Sequence, residues 1–150
     1  MTTPPAYPQS LFAPLRPDKR TSSRIVLVPY HNISAVQEFT YKVVITIRMP
    51  ATADLFIPHN LTFDEFVTAY CPNFKVFNES GMHKRVAINP DRLVHILRNE
   101  KNKTVIVVDS TERVMTQLTL TKAFMVDEEM TQAARVFDEV GMRQVLAHLQ

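Results

Sequence analysis

Eight residues near the N-terminus hold the densest recognition chemistry of this 150-residue chain: Pro4-Pro5-Ala6-Tyr7-Pro8-Gln9-Ser10-Leu11. Pro4-Pro5-Ala6-Tyr7 is a P-P-x-Y sequence. Such sequences bind WW domains because two prolines preset an extended helix and stack in an aromatic groove while the tyrosine fills the next pocket, so little entropy is lost. Tyr7-Pro8-Gln9-Ser10-Leu11 is a Y-P-x-x-L sequence, in which tyrosine and leucine dock into apolar pockets and the proline fixes the bend between them. Both use Tyr7, and one ring cannot occupy two pockets, so the two modes exclude each other. Pro14-x-x-Pro17-x-Lys19 also matches an SH3-ligand pattern, which is common enough to arise by chance.

Catalytic chemistry is not legible. An enzyme needs a nucleophile with its base, paired carboxylates in a cleft, or a metal cluster. His31, His59, His83, His95 and His148 are scattered without metal-ligand spacing, and the single Cys71 has no thiolate partner. Gly81 and Gly141 are the only glycines, which excludes phosphate-cradling and dinucleotide loops, since these need several glycines close together. Asp127, Glu128 and Glu129 precede a helical pattern, where they complement the helix dipole. The expectation is a protein that is not an enzyme and needs no metal or cofactor. No apolar run reaches the roughly 18 residues of a membrane span, which points to a soluble, cytosolic protein.

The elements that must carry the N-terminal motifs follow from patterning. Five of ten prolines lie in the first 17 residues, and no apolar periodicity precedes Ser22. Residues 1–21 therefore read as a flexible proline-rich tail and residues 22–150 as one globular domain. Strands are expected at 24–28, at 41–49 with Tyr41, Val43, Ile45, Ile47 and Met49 on one face, and at 54–57, 73–77, 85–88, 105–108 and 114–120, the last two joined by a hairpin through 109–112. Thr62 and Glu65 form a capping box with Leu61 and Phe66 as its hydrophobic staple, which opens a helix that Pro72 ends. Asn89 and Pro90 predict a second helix with Leu93, Ile96 and Leu97 as its stripe. Asp127 predicts a third helix with Met130, Ala133, Ala134 and Phe137, continued past Gly141 by Met142, Val145, Leu146 and Leu149. The expected fold class is α+β: a mainly antiparallel sheet with helices packed on one side, in a single domain.

Overlapping P-P-x-Y and Y-P-x-x-L sequences ahead of a small domain resemble the late domains of enveloped RNA viruses, particularly matrix proteins of negative-strand viruses. The layout of Glu38 to Arg48 followed by the helix from Thr62 is similar to the start of rhabdovirus-like matrix domains. The chain departs from them in lacking a lysine-rich N-terminus and a P-T-A-P motif. The resemblance implies that Pro4, Pro5 and Tyr7 recruit host WW-domain ubiquitin ligases, and that Tyr7, Pro8 and Leu11 recruit a Bro1-domain adaptor of the ESCRT scission machinery. It further implies self-assembly as a homo-oligomer beneath the virion envelope, contact with the viral nucleocapsid, and residence in host cytoplasm and on the inner face of host membranes.

Charge distribution fits that role. Residues 1–103 carry 13 Lys/Arg against 8 Asp/Glu, and residues 104–150 carry 4 against 7. Lys19, Arg20 and Arg24 beside the tail, and Lys84, Arg85, Arg98, Lys101 and Lys103 in the domain, are the candidates for an anionic membrane surface. The acidic end would meet the basic part of the next copy. A cellular adaptor of ubiquitin-like type with a WW-binding tail is the alternative, because the order of elements over 41–77 also suits that fold. A nucleic-acid-binding module ranks below both, since aromatics are missing among the basic residues of 84–103.

Overall fold

The computed structural model describes residues 11–18, 24–48, 55–81, 84–114 and 117–138, with backbone alone for 111–114 and 117–119. In chain order the strands are β1 (Phe12–Pro17), β2 (Val26–Pro29), β3 (Ile33–Glu38), β4 (Val43–Ile47), β5 (Phe56–Pro58), β6 (Lys75–Glu79), β7 (Lys84–Ile88), β8 (Leu93–Arg98), β9 (Thr104–Val114) and β10 (Gln117–Val126). Helix α1 (Phe63–Tyr70) lies between β5 and β6, and α2 (Met130–Phe137) follows β10. All ten strands join in one antiparallel sheet, ordered β2-β1-β5-β4-β3-β7-β6-β10-β9-β8. The expected α+β arrangement, a sheet with helices layered on one side, is therefore corrected: the sheet is the architecture, and each helix has only eight residues.

Two apolar clusters lie on opposite faces of the central strands. On one face, Leu15, Phe56, Ile45, Val36 and Ala87 pack with Phe63 and Phe66 of α1. On the other, Ala35, Val86, Ile88 and Phe77 pack with Ile106, Val108, Phe124, Val126 and Ala133. The sheet can bury both faces because it coils. β9 is four places from β3 in the strand order, yet Ser34 Oγ donates to the Asp109 carbonyl at 2.6 Å and Arg48 Nε to Asp109 Oδ2 at 3.1 Å. The right-handed twist of adjacent strands, accumulated over this many, brings the far half of the sheet back over the near half. Phe137 of α2 stacks on Phe77 with ring centroids 5.4 Å apart, closing the second cluster.

The capping box forms as expected: Thr62 Oγ1 accepts the Glu65 N–H at 3.3 Å, and Glu65 Oε1 accepts the Thr62 N–H at 3.0 Å. Leu61 and Phe66 both join the first cluster. Other expectations are overturned. Residues 12–17, assigned to the tail, form β1 between β2 and β5, with Ala13, Leu15 and Pro17 buried. The helix expected from Pro90 is a single 3-10 turn, Pro90–Arg92, after which β8 begins. Asn89 does cap that turn, its side chain accepting the Asp91 N–H at 2.9 Å. The three-residue spacing of Leu93 and Ile96 imitates a helix because a register shift between Leu93 and His95 inserts a residue in β8 and returns both side chains to one face.

In β4, Val44, Ile45, Thr46 and Ile47 are all buried, and Tyr41 is 97% exposed instead of sharing the apolar face. β9 runs straight through 109–112, with Asp109 and Glu112 paired to Thr121 and Thr119 of β10, so no hairpin turns there. α2 is capped by Glu129, which accepts the Thr131 N–H at 3.0 Å, while the Asp127 N–H continues the sheet to Asn78. The continuation from Met142 to Leu149 lies outside the described residues. The order strand, strand, helix, strand over 41–77 occurs as β4, β5, α1 and β6 within the larger sheet, not as a ubiquitin-like unit.

Candidate interaction surfaces

Pro4, Pro5, Tyr7 and Pro8 lie outside the described residues. Leu11, the last member of the Y-P-x-x-L sequence, stands at the mouth of β1, where its carbonyl accepts the Tyr30 N–H at 2.9 Å and its side chain is 49% exposed. The backbone at this end of the motif is thus tied to the sheet, while the leucine side chain remains reachable. The SH3-type match fails on geometry. Its Pro17 is buried in a strand paired with β5, whereas such ligands need an accessible polyproline helix.

The basic candidates do not form one cluster among the described residues. Arg24 is exposed just before β2, and Lys19 and Arg20 lie outside the described residues. Lys84 opens β7, and the paired positions Lys84–Glu79, Glu79–Val126, Val126–Thr104 and Thr104–Arg98 set it four strand steps from Arg98, about 19 Å along the sheet. Lys101 and Lys103 are exposed in the β8–β9 turn, which Asn99 Oδ1 holds by accepting both of their backbone N–H groups at 3.0 and 2.9 Å.

Arg98 and Arg85 are engaged by acidic side chains. Arg98 Nη2 meets Glu129 Oε1 at 2.9 Å. Arg85 is clamped by two carboxylates: its Nε and Nη2 donate to Glu38 at 2.9 Å each, and its Nη1 and Nη2 donate to Asp64 at 2.9 and 3.0 Å. Its guanidinium also lies 4.7 Å from the Phe63 ring centroid. These hydrogen bonds, Glu38 first, raise the Arg85 pKa, and Arg85 in turn holds Glu38 and Asp64 below their ordinary values. Arg85 therefore fastens the start of α1 to β3 and β7, and a lipid phosphate would have to displace two bidentate partners to reach it.

A second polar knot was not legible in the sequence. Asp109 on β9 receives Arg48 at 3.1 Å, and Arg92 approaches the same oxygen at 3.7 Å while donating through Nε to the His31 carbonyl at 2.9 Å. Asp109 Oδ1 and Thr46 Oγ1 are buried without a partner. The knot joins β3, β4 and β9 where the coil closes, and only the coiling reveals it, because Asp109 is 61 residues from Arg48.

No group of three or more His, Cys, Asp or Glu among the described residues has metal-binding geometry, and no helix there is long and apolar enough to cross a membrane. A cleft of about 130 Å³ lies between Tyr30, Cys71, Phe74, Asn89 and Asp91. Burial pushes the Cys71 thiol up to about 12, so it carries no thiolate nucleophile near neutral pH. Exposed apolar side chains occur instead on β1 and β2, at Phe12 and Leu27, and at Ile25 just before β2. No protein-family model, curated protein or solved structure matches the chain.

Proposed function

We propose that this chain is a viral matrix protein of the negative-strand, rhabdovirus-like kind, acting by binding and assembly. It lies on the anionic inner face of host membranes, self-associates beneath the envelope, contacts the nucleocapsid and recruits host factors for budding. The observation that carries this reading is the superposition of P-P-x-Y and Y-P-x-x-L on Tyr7 within residues 4–11. The geometry of Leu11 supports it: the second motif ends where the sheet begins, with its leucine accessible. Pro4, Pro5 and Tyr7 engage WW-domain ubiquitin ligases; Tyr7, Pro8 and Leu11 engage the Bro1-domain adaptor.

The test is competition on one tyrosine. Immobilised full-length protein should retain an isolated WW domain and an isolated Bro1 domain, each displacing the other. Tyr7→Ala should lose both, Pro4→Ala only the WW domain, and Leu11→Ala only the Bro1 domain. Retention of both partners by Tyr7→Ala would end the proposal.

A further inference from the structure

We infer that β8 is the edge through which the chain self-associates, pairing antiparallel with β8 of a second copy about a two-fold axis at Ile96. This rests on the self-assembly part of the matrix reading and names the surface that carries it. β8 ends the strand order, with β9 as its one neighbour among the described residues, so half of its backbone groups have no ladder partner there. Natural sheet edges are blunted by short length, proline, lysine or inward charge. The opposite edge, β2, has four residues and ends in Pro29. β8 has six, LVHILR, without proline, lysine or carboxylate, and its Arg98 is held by Glu129 at 2.9 Å. His95 to Arg98 run in regular register with β9, the shift being confined to Leu93 and His95. Val94 and Leu97 are exposed, at 47% and 36%.

Register and charge select the occupant. Opposed residues of an antiparallel pair share a face, so the axis must pass through a residue position. Ile96 faces the second apolar cluster with Ile106 and Phe124, its neighbours across β9 and β10, while Leu97, Val105 and Met125 form the row on the opposite face. An axis at Ile96 opposes the two Ile96 side chains on the first face and sets Leu97 against His95 of the second copy on the other. Further out, Glu100 and Lys101 come beside Arg92 and Asp91 of the second copy, and symmetry repeats the contact at the other end. Asp91, Glu100 and Lys101 are exposed and enter no ion pair among the described residues. An axis at His95 would oppose Arg98 to Arg92, like against like. The ends of the same chain fit the edge less well. α2 begins beside β8, where Glu129 meets Arg98, and ends on β6, where Phe137 stacks on Phe77. The chain beyond Asp138 thus starts three strand steps from the edge, about 14 Å. Residues 1–10 contain Pro4, Pro5 and Pro8, which have no N–H to give.

One edge pair is small beside the roughly 1,200 to 2,000 Å² of a stable interface, so association should be reversible, with a dissociation constant on the order of micromolar to millimolar. The test is sedimentation equilibrium of the full-length protein across that range. Wild type should pass from monomer to dimer, and Val94→Lys combined with Leu97→Lys, which charges the edge at two exposed positions, should weaken dimerisation at least about tenfold. Asp91→Lys alone and Lys101→Asp alone should each weaken it, because like charges then meet at both ends. Mixing these two variants should restore a heterodimer of wild-type strength, since every 91–101 contact again joins opposite charges. Hydrogen exchange in β8 should slow as concentration rises, while exchange in β2 does not change.

Wild type that dimerises no better than the Val94/Leu97 variant overturns this edge and leaves self-assembly in place. Wild type that stays monomeric over the whole range overturns both the edge and the self-assembly part of the matrix reading. Dimers that the Val94/Leu97 variant loses, but that mixing the charge variants does not recover, overturn the pairing about Ile96. Slow exchange of β8 in the dilute monomer assigns the edge to a segment of the same chain and overturns the second copy as its occupant.

Discussion

Arg85 shows how one side chain can be withdrawn from a surface role by its neighbours. A guanidinium presents a planar fork of donors, and here it spans the carboxylates of Glu38 and Asp64 while lying over Phe63. Lysine cannot reproduce two bidentate contacts, so Arg85→Lys should recover less than half of what Arg85→Leu loses, a loss of about 1 to 2 kcal/mol in urea titrations at neutral pH. The pH dependence has a defined sign. Glu38 and Asp64 are held below their ordinary values of 4.5 and 3.8 by hydrogen bonds from Arg85, so the unfolded chain binds more protons than the native one in that range. The stabilisation is complete above the ordinary values and disappears as pH falls through the lowered native ones. Wild type and Arg85→Leu should therefore converge in stability on acidification below about pH 4, and a gap unchanged at acid pH would contradict the clamp.

The capping box of α1 was readable residue by residue, because Thr62, Glu65, Leu61 and Phe66 act within one turn and need no distant partner. Thr62→Ala should cost about 1 kcal/mol, or about 2 to 4 °C in the melting temperature of a chain this size. Phe66→Ala, which empties a fully buried position, should cost about 3 to 5 kcal/mol. Strands set by distant pairing were harder to read. β3 (ISAVQE) shows no period of two because both of its faces are covered. β8 imitates a helix in sequence because a bulge gives its apolar residues helical spacing. β1 was hidden by Pro14 and Pro17, whose sequence suggests a tail; the sheet accommodates Pro14 through its carbonyl, which accepts the His59 N–H at 3.3 Å. Of the candidate site, the tail motifs were plain in the sequence. The compensation of Arg85 and Arg98, and the apolar face of β1 and β2, depended on register and coiling that no local pattern encodes.

Across the whole molecule, coiling is what turns an extended sheet into a body with two cores, and Asp109 holds the closure. Asp109→Ala removes the acceptor shared by Arg48 and Arg92. It should lower stability by about 1 to 3 kcal/mol and accelerate hydrogen exchange in β8, β9 and β10 ahead of β3 and β7; uniform acceleration across all strands would count against a local closure. The central claim, that Tyr7 is a shared budding residue, is tested most directly by measuring membrane-enclosed particles released from cells expressing the full chain. Wild type should release particles, and Tyr7→Ala should reduce release at least about tenfold, as expected when both recruitment contacts are lost together, with unchanged expression and unchanged vesicle flotation. Release by Tyr7→Ala equal to wild type would contradict the account.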